Sequence, residues 1–463
     1  MYPYKADLHV HSPYSQVEKG ILRGIISSES YTSPREIYRI AKKRGMDFVT
    51  ITDHNCIEGA LEIAHLPDVF IGEEVTAKFP EDGCSIHLIT LDINEAQHRE
   101  IQRLRDNIYE LVKYLSSQDI VYFVAHPFSS VDGKLKKEHW EKMLLLFDIF
   151  EAKNGVQKEE DNLLLERILK SLSPEKIEQL VEKYNITPLS STPWEKSMVG
   201  GSDDHGGLYI AKTYTLGGGP SPGDFLKSIK EGRCKPGGKS GSYLTIGHSI
   251  YSAGYRFYKY RLKKDALRSI DRLVDDERKG KILEKVFLSN GRKGLPLFPK
   301  NFLVSYFIRK FSRKMPFLLT IEAIDKINKN LPLYIALFPY LFGFAHQNKD
   351  RNFTREIKKH YLGLDDPLKV AVFLDDKGTG KGLSSNLYSS SSDGKGEIEI
   401  LYCDDVKKKR SFSENGIASF PPIVDFPFPL YPGIQISIPP LMEVLLHCEK
   451  KKFALIHALT PGP

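Results

Sequence analysis

The sequence predicts an α/β fold, and three observations carry that prediction. Short apolar runs recur along residues 1–235, and segments of helical periodicity separate them. Strand alternating with helix argues for a parallel sheet. Nearly every apolar run ends in His, Asp or Glu, and polar chemistry gathered at C-terminal strand ends is how a β/α barrel builds an active site. The chain can support this: 463 residues suffice for two or three domains, and a hydrophobic content of 41% can fill their cores.

The first run is Ala6-Asp7-Leu8-His9-Val10-His11-Ser12. A strand has a side-chain period of two, so Asp7, His9 and His11 share one face while Leu8 and Val10 enter a core. Two imidazoles aimed at one spot suit a divalent metal, and a nearby carboxylate often orients such a ligand. Taken alone, these residues also fit an exposed polar strand face. Ser33-Pro34-Arg35-Glu36 then starts a helix: Ser33 caps it, Pro34 occupies its first turn and Glu36 closes a capping box. Ile37, Ile40 and Ala41 form its buried stripe, and Gly45 ends it.

The strand Phe48–Thr52 runs into Asp53-His54-Asn55, and Val69–Gly72 runs into Glu73-Glu74. Ser85–Leu91 carries His87 within it. One helix is expected around Ile101, Leu104, Ile108, Leu111, Val112 and Leu115. Ile120–Val124 ends at Ala125-His126-Pro127, Phe147–Phe150 at Glu151 and Asn154, and Met198–Gly201 at Ser202-Asp203-Asp204-His205. A lone histidine is usually structural. The same placement at strand after strand points instead to a metal centre.

Composition excludes several classes. The five cysteines are far apart and form no C-x-x-C pair, so neither a zinc ribbon nor a disulfide framework is indicated. A reducing, cytoplasmic setting is expected. Tyr2-Pro3-Tyr4-Lys5 is no secretion signal, and no run of eighteen apolar residues predicts a membrane span.

The motifs Asp7-Leu8-His9-Val10-His11-Ser12, Thr52-Asp53-His54-Asn55, Gly72-Glu73-Glu74-Val75-Thr76, His87-Leu88-Ile89, Ala125-His126-Pro127 and Gly201-Ser202-Asp203-Asp204-His205-Gly206 resemble, in this order, those of the PHP (polymerase and histidinol phosphatase) superfamily. The resemblance covers residues 1–235 and implies a distorted seven-stranded β/α barrel binding two or three divalent metals. Carried over by motif, His9, His11, Glu74 and Asp203 would hold one metal. Glu74 would bridge to a second, held by His87 and His126, and His54 and His205 would hold a third. Catalysis would turn on Glu74, His126 and Asp203. Family members commonly place an acid or histidine where this chain has Gln16, so imidazoles and water are expected to hold the third metal, weakly. Asp7 and Asp53 are expected to orient neighbouring imidazoles, and Glu73 is not the expected bridge. Such ligands suit Zn, Mn or Fe. Clustered metals acidify a water and clamp a phosphoryl group, so the expected activity is hydrolysis of a phosphate mono- or diester, the substrate being a phosphorylated small molecule or nucleotide. Lys153 and Lys196 are read first as solvated, second as phosphate contacts. His139, His248, His346 and His360 receive no role.

Residues 236–365 begin at a Gly-rich boundary and read as a basic helical linker, with Arg256, Lys259, Arg261, Lys263, Lys264 and Arg268 close together. The partner this suggests, beside plain solvation, is an anionic membrane surface; no specific nucleic acid is predicted. Leu331–Ala345 is apolar but short, and reads as a buried helix. In residues 366–463, the strand Lys369–Asp375 with Gly382, the Phe426–Pro432 segment, Ile438-Pro439-Pro440 and the closing His457–Pro463 resemble the acceptor-side, Rossmann-like half of group 1 glycosyltransferases. The alternative function is therefore a glycosyltransferase fusion with an accessory PHP barrel. No donor-binding half follows, so sugar transfer is expected to be incomplete in this chain.

Overall fold

The structure, a computed structural model, describes residues 3–15, 28–259 and 338–364, and in the C-terminal part 368–374, 396–403, 412–414, 417–422, 424–428, 431–438, 440–453 and 455–458. Gln16, the basic residues Arg261, Lys263, Lys264 and Arg268, and the Gly378–Gly382 turn lie outside the described residues. The chain divides into two compact units: Met1–Leu267 with Phe342–Asp365, and Arg268–Leu341 with Asp366–Pro463.

The first unit contains β1 (Tyr4–Asp7), α1 (Pro34–Lys43), β2 (Phe48–Val49), α2 (Glu58–Leu61), β3 (Gly72–Lys78), β4 (Ser85–Leu91), α3 (Glu95–Leu104), α4 (Ile108–Ser117) and β5 (Val121–Val124). It continues with α5 (Lys137–Leu146), β6 (Ile149–Asn154), α6 (Glu159–Lys170), α7 (Pro174–Tyr184), β7 (Ser197–Gly201), β8 (Thr213–Gly217), α8 (Pro222–Lys230), β9 (Cys234–Gly238) and α9 (Tyr243–Lys259). The helical residues 342–348 (α10) and α11 (Arg351–Leu362) also belong to it.

The strands pair as two sheets, β2-β1-β8-β9 and β3-β4-β5-β6-β7. Among the described residues no single hydrogen-bonded ring of seven strands runs through both. The sheets meet at isolated parallel bridges, Val10 with Asp204 and His54 with Glu74. The expected parallel order holds for β1–β2, β5–β6 and β6–β7. It fails at β3–β4 and β4–β5, which are antiparallel. The reason is a tight turn between β3 and β4, where Gly83 at φ 67° leaves no length for a crossover helix.

Leu8, Phe48, Phe70, Ile89, Phe123, Ile149 and Val199, from both sheets, share one buried cluster with Phe225, Leu226 and Ile229 of α8. A larger cluster packs α3–α7 and Ile357 of α11 on the second sheet. The apolar interior is thus filled from below, which leaves the polar strand ends as one surface above it.

Three local expectations are corrected. Ser33 caps α1 by accepting from the Glu36 amide (3.4 Å), but the Glu36 carboxylate pairs with Arg256 (2.7 Å) rather than closing a capping box. The helix expected around Ile101–Leu115 is two helices, because the Asn107 side chain accepts from the Tyr109 and Glu110 amides and starts a second one. Glu73 and Glu74 stand at the start of β3, not at the end of a strand Val69–Gly72. Phe70 makes only one backbone bond, to Val49, and regular pairing begins at Gly72 opposite Leu91.

In the second unit, β10 (Leu368–Leu374), β11 (Gly396–Cys403), β13 (Ile417–Phe420) and β16 (Leu455–Ala458) pair in parallel, with β12 (Phe412–Glu414) antiparallel at the edge. A hairpin, β14 (Val424–Phe428) with β15 (Tyr431–Ile438), and α12 (Leu441–Lys451) complete the described elements.

Candidate metal centre

Regular strand geometry in β1 stops at Asp7, two residues before the first imidazole. Its neighbours nevertheless hold the next residues extended. Asp203 N–H donates to His9 O (2.7 Å) and His11 N–H to Asp204 O (3.2 Å), while Thr52 N–H donates to Val10 O from the other side (2.9 Å). Period two therefore persists, with Leu8 and Val10 buried behind and both imidazoles in front. Glu74 is fixed the same way: its N–H donates to Asp53 O (3.1 Å) and its carbonyl accepts from Asn55 N–H (2.8 Å).

The buried Glu74 carboxylate is the hub. Oε2 lies 3.1 Å from His9 Nε2, 3.2 Å from His11 Nε2 and 3.2 Å from His54 Nδ1. Oε1 lies 2.7 Å from His87 Nδ1 and 3.1 Å from His126 Nε2. Each oxygen thus faces its own set of imidazoles, as a bridging carboxylate would. Asp203 Oδ1 completes the first set, 3.5 Å from His9 Nε2 and 3.4 Å from His11 Nε2. All eight sequence-predicted ligands converge: His9/His11/Glu74, His9/His126/Asp203, His54/Glu74/His87 and His11/His54/His205 each bring ligand atoms within 4.8 Å of one another.

Do these residues fit cations? The buried ring nitrogens His11 Nε2, His54 Nδ1 and His87 Nδ1 make no hydrogen bond, although each lies close to Glu74. Buried polar atoms are rarely left unsatisfied. Lone pairs of nitrogen and carboxylate oxygen pointing at a common space are what a divalent ion requires, and the donor set suits Zn, Mn or Fe.

Electrostatics agree. Burial works against charge on Glu74, but the imidazoles of His54, His87 and His9 outweigh it and hold the carboxyl well below its ordinary range. Asp203 is held low in the same way by His9, His11 and His205. Burial opposes a charged His9, yet Asp203, Glu74 and Glu151 raise it well above the usual value. His87 goes the other way, because burial exceeds the pull of Glu74.

The sequence reading missed three contributors. Glu29 follows no apolar run and carries no signal in the sequence. Its Oε2 lies 3.3 Å from His54 Nε2 and 3.4 Å from His205 Nε2, which places a carboxylate beside the two imidazoles expected to hold a third metal with water. Serines place it: Glu29 N–H donates to Ser15 O (3.0 Å), and Ser28 Oγ donates to Ser15 O (2.9 Å) and Ser30 O (2.8 Å). Against burial, Glu29 lifts His54 (together with Glu74) and His205 (together with Asp203) to about 9 each. Glu151 stands at an expected strand end, where nothing in the sequence marks its role. Its Oε1 lies 3.0 Å from His9 Nδ1, fixing the ring so that Nε2 faces Glu74, and its Oε2 accepts from His126 N–H (2.8 Å). Asn154 Nδ2 donates both to Glu151 Oε2 (2.9 Å) and to Asp203 Oδ2 (3.1 Å).

Other expectations shift. Asp7 and Asp53 touch no imidazole. Asp7 accepts from the amides of His9, Ser202 and Ala211, and Asp53 from the amide and hydroxyl of Ser12. They shape the ligand-bearing backbone rather than orient rings. Glu73 points away, to His98 Nδ1 (2.9 Å) and Gln102 Nε2 (2.9 Å). Lys196 is buried, donating to Leu144 O (2.8 Å) and Phe147 O (2.7 Å), and burial pushes it down to about 8; it is neither solvated nor a phosphate contact. Lys153 donates to Gly238 O (3.4 Å). His126 at φ 28° and Asp203 at φ 52° occupy backbone conformations non-glycine residues rarely adopt, a strain that clusters at functional sites. Gly201 must stay small, since a Cβ would strike His9 and come within 2.9 Å of Glu151 Oε1.

No family model matches the chain. The uncharacterized protein MJ1587 of Methanocaldococcus jannaschii is 29% identical over 175 residues, which span 36% of this chain and 93% of that protein. Among solved structures, a protein of Bifidobacterium adolescentis whose name proposes a metal-dependent phosphoesterase is 15% identical, covering 50% of this chain and 96% of its own, at a TM-score of 0.30. PsfC of Pseudomonas syringae is 13% identical, covering 55% and 98%, at 0.34. An amidohydrolase of Chromobacterium violaceum is 14% identical, covering 43% and 87%, at 0.28. Likenesses of this size carry no argument about chemistry, which rests on the site itself.

Proposed function

We propose that the first unit is a metal-dependent phosphoesterase of the PHP kind, hydrolysing a phosphate mono- or diester of a small molecule or nucleotide. The observation that carries this reading is Glu74, whose two oxygens face separate groups of imidazoles with orphaned ring nitrogens. His9, His11, Glu74 and Asp203 would hold one divalent ion, Glu74, His87 and His126 a second, and His54, His205 and Glu29 a third. Bound there, such ions would supply Lewis acidity and neutralise phosphoryl charge for attack by water. The chain's own contribution is orientation. Glu151 sets the His9 ring, Asn154 ties Glu151 to Asp203, and paired backbone on either side of residues 9–11 keeps the ligand directions fixed. The test is metal content of the dialysed full chain beside turnover of a phosphomonoester and phosphodiester panel. Two or more ions with turnover are expected. Fewer than one ion per chain, or a loaded protein inert on the whole panel, would overturn the reading.

For the second unit we propose a Rossmann-like half related to group 1 glycosyltransferases, supported by the parallel order β16-β10-β11-β13. Contact of the basic region with an anionic membrane surface is also a proposal. Arg256 does not favour it, being engaged by Glu36 and by Gly206 O. Salt-sensitive binding to acidic vesicles is its test. Among the described residues no helix is long and apolar enough to cross a membrane.

A further inference from the structure

We propose that α10 forms a substrate-binding wall of the metal centre and that His346 is its contact residue, hydrogen-bonding a phosphoryl oxygen of the phosphoester. The inference rests on the phosphoesterase reading and deepens it. Nothing in the sequence pattern gave residues 342–350 a part in the site, and His346 lies over a hundred positions beyond the last ligand motif.

The docking of α10 is specific. Gln347 Nε2 donates to Val156 O (2.7 Å), two residues past Asn154, the residue that holds Asp203. Lys349 Nζ donates to Ser130 O (2.6 Å), and Ser130 N–H donates to Asp350 Oδ2 (2.9 Å), in the turn that Ser129 closes on His126 O. These bonds tie the C-terminal turn of α10 to the loops that follow β5 and β6, which are the loops beside His126 and Asp203. Gly343 and Phe344 rest against Tyr243 of α9. This leaves His346 partly buried, its ring stacked 6.0 Å from that of Phe342.

Its neighbours Gln347 and Lys349 are held by Val156 and Ser130, two residues past Asn154 and four past His126, so the helix brings His346 to the ligand-bearing loops. Burial, with Lys349 adding to it, pushes the imidazole down to about 4, so it is neutral at pH 7 and carries one N–H donor. Among the described residues no hydrogen bond engages either ring nitrogen. A neutral donor held beside an anion-binding centre, with its own partner position open, fits the non-bridging oxygen of a phosphoryl group. The same ring is a poor general acid, since it has no proton to give near neutrality beyond the N–H it donates.

The experiment uses the metal-loaded full chain with His346→Ala and His346→Gln. Inorganic phosphate is titrated calorimetrically, and kcat and KM are measured on p-nitrophenyl phosphate. Loss of one hydrogen bond to an anion predicts about tenfold weaker phosphate binding in His346→Ala. KM should rise by a similar factor, with kcat nearly unchanged and metal content at the wild-type level. His346→Gln, which keeps an N–H donor, should recover part of the loss. Phosphate binding equal to wild type in both variants would overturn the inference. So would a wild-type chain that binds no phosphate, or loss of metal in His346→Gln, which would make the residue a ligand or a structural support. The phosphate arm does not depend on turnover: an inert wild type that still binds phosphate through His346 would sink the phosphoesterase reading and leave this contact standing.

Discussion

Around Glu74, His9, His11, His54, His87 and Asp203 leave backbone that is paired or bridged with a neighbouring strand segment, the His126 amide is held by Glu151, and the Glu74 carboxylate is only 1% exposed. Glu29, by contrast, arrives on a loop held to Ser15 by serine hydroxyls and amides, and its side chain is 31% exposed. The inner and outer parts of the centre share residue types but differ in what orients them. Inner ligands inherit their directions from the sheets, so their geometry is costly to disturb. The outer carboxylate depends on a local loop and should bind its ion more weakly and more reversibly.

The largest effect expected from that contrast is at the hub. Glu74→Gln removes the charge that the two proposed ion sites would share, and a loss of several kcal/mol of stabilisation corresponds to a fall in turnover of roughly a thousandfold or more. Metal analysis should show both inner ions gone. Retention of two ions in this variant would mean that Glu74 does not bridge. Next comes Glu151→Gln. It leaves the ligands in place but weakens the fixing of His9, and supporting residues of this kind typically contribute about 10–100-fold in metal affinity or activity. If dialysis removed no more metal from this variant than from wild type, the inner part would not need its carboxylate brace.

Glu29→Gln should act on the outer ion alone, weakening it by about tenfold while the inner pair stays bound. The outer ion should also follow pH. His54 and His205 are raised to about 9, so they carry protons at pH 7 that a cation must displace. Apparent affinity for the third ion should therefore rise from pH 7 to 9 and level off above. A flat titration across that window would show that these two rings are not its ligands. Glu73→Gln should be the mildest, within about threefold of wild-type turnover, since its partners are His98 and Gln102. A loss as deep as that of Glu74→Gln would place the bridge at the wrong glutamate.

The same contrast explains what the sequence could reveal. His9, His11, His54, His126 and Asp203 follow apolar runs, so period and position announced them. Strand order was less legible, because the tight turn at Gly83 that makes β3 and β4 antiparallel leaves no mark in the apolar pattern. Glu29 was invisible for a different reason: Ser28-Glu29-Ser30 has no periodicity, and only the three-dimensional return of the chain to Ser15 brings it to His54. Asp7 and Asp53 read as supporting residues, but which atoms they support depends on distant segments (the Ser202 amide 195 residues from Asp7, and Ser12 41 residues from Asp53) and is not legible locally.

The bridges Val10–Asp204 and His54–Glu74 are where the two sheets of the first unit meet, and ligands sit on or beside both. Cations held by these residues would act as rivets along a seam. Their binding energy would then appear as resistance of the seam to opening, about 2.7 kcal/mol for each ion present at a hundredfold excess over its dissociation constant. Amide hydrogen exchange should display it residue by residue. The N–H groups of His11, Asn55, Glu74 and Asp203, which cross the seam, should slow markedly on metal loading, while amides within β10 and β11 of the second unit keep their rates.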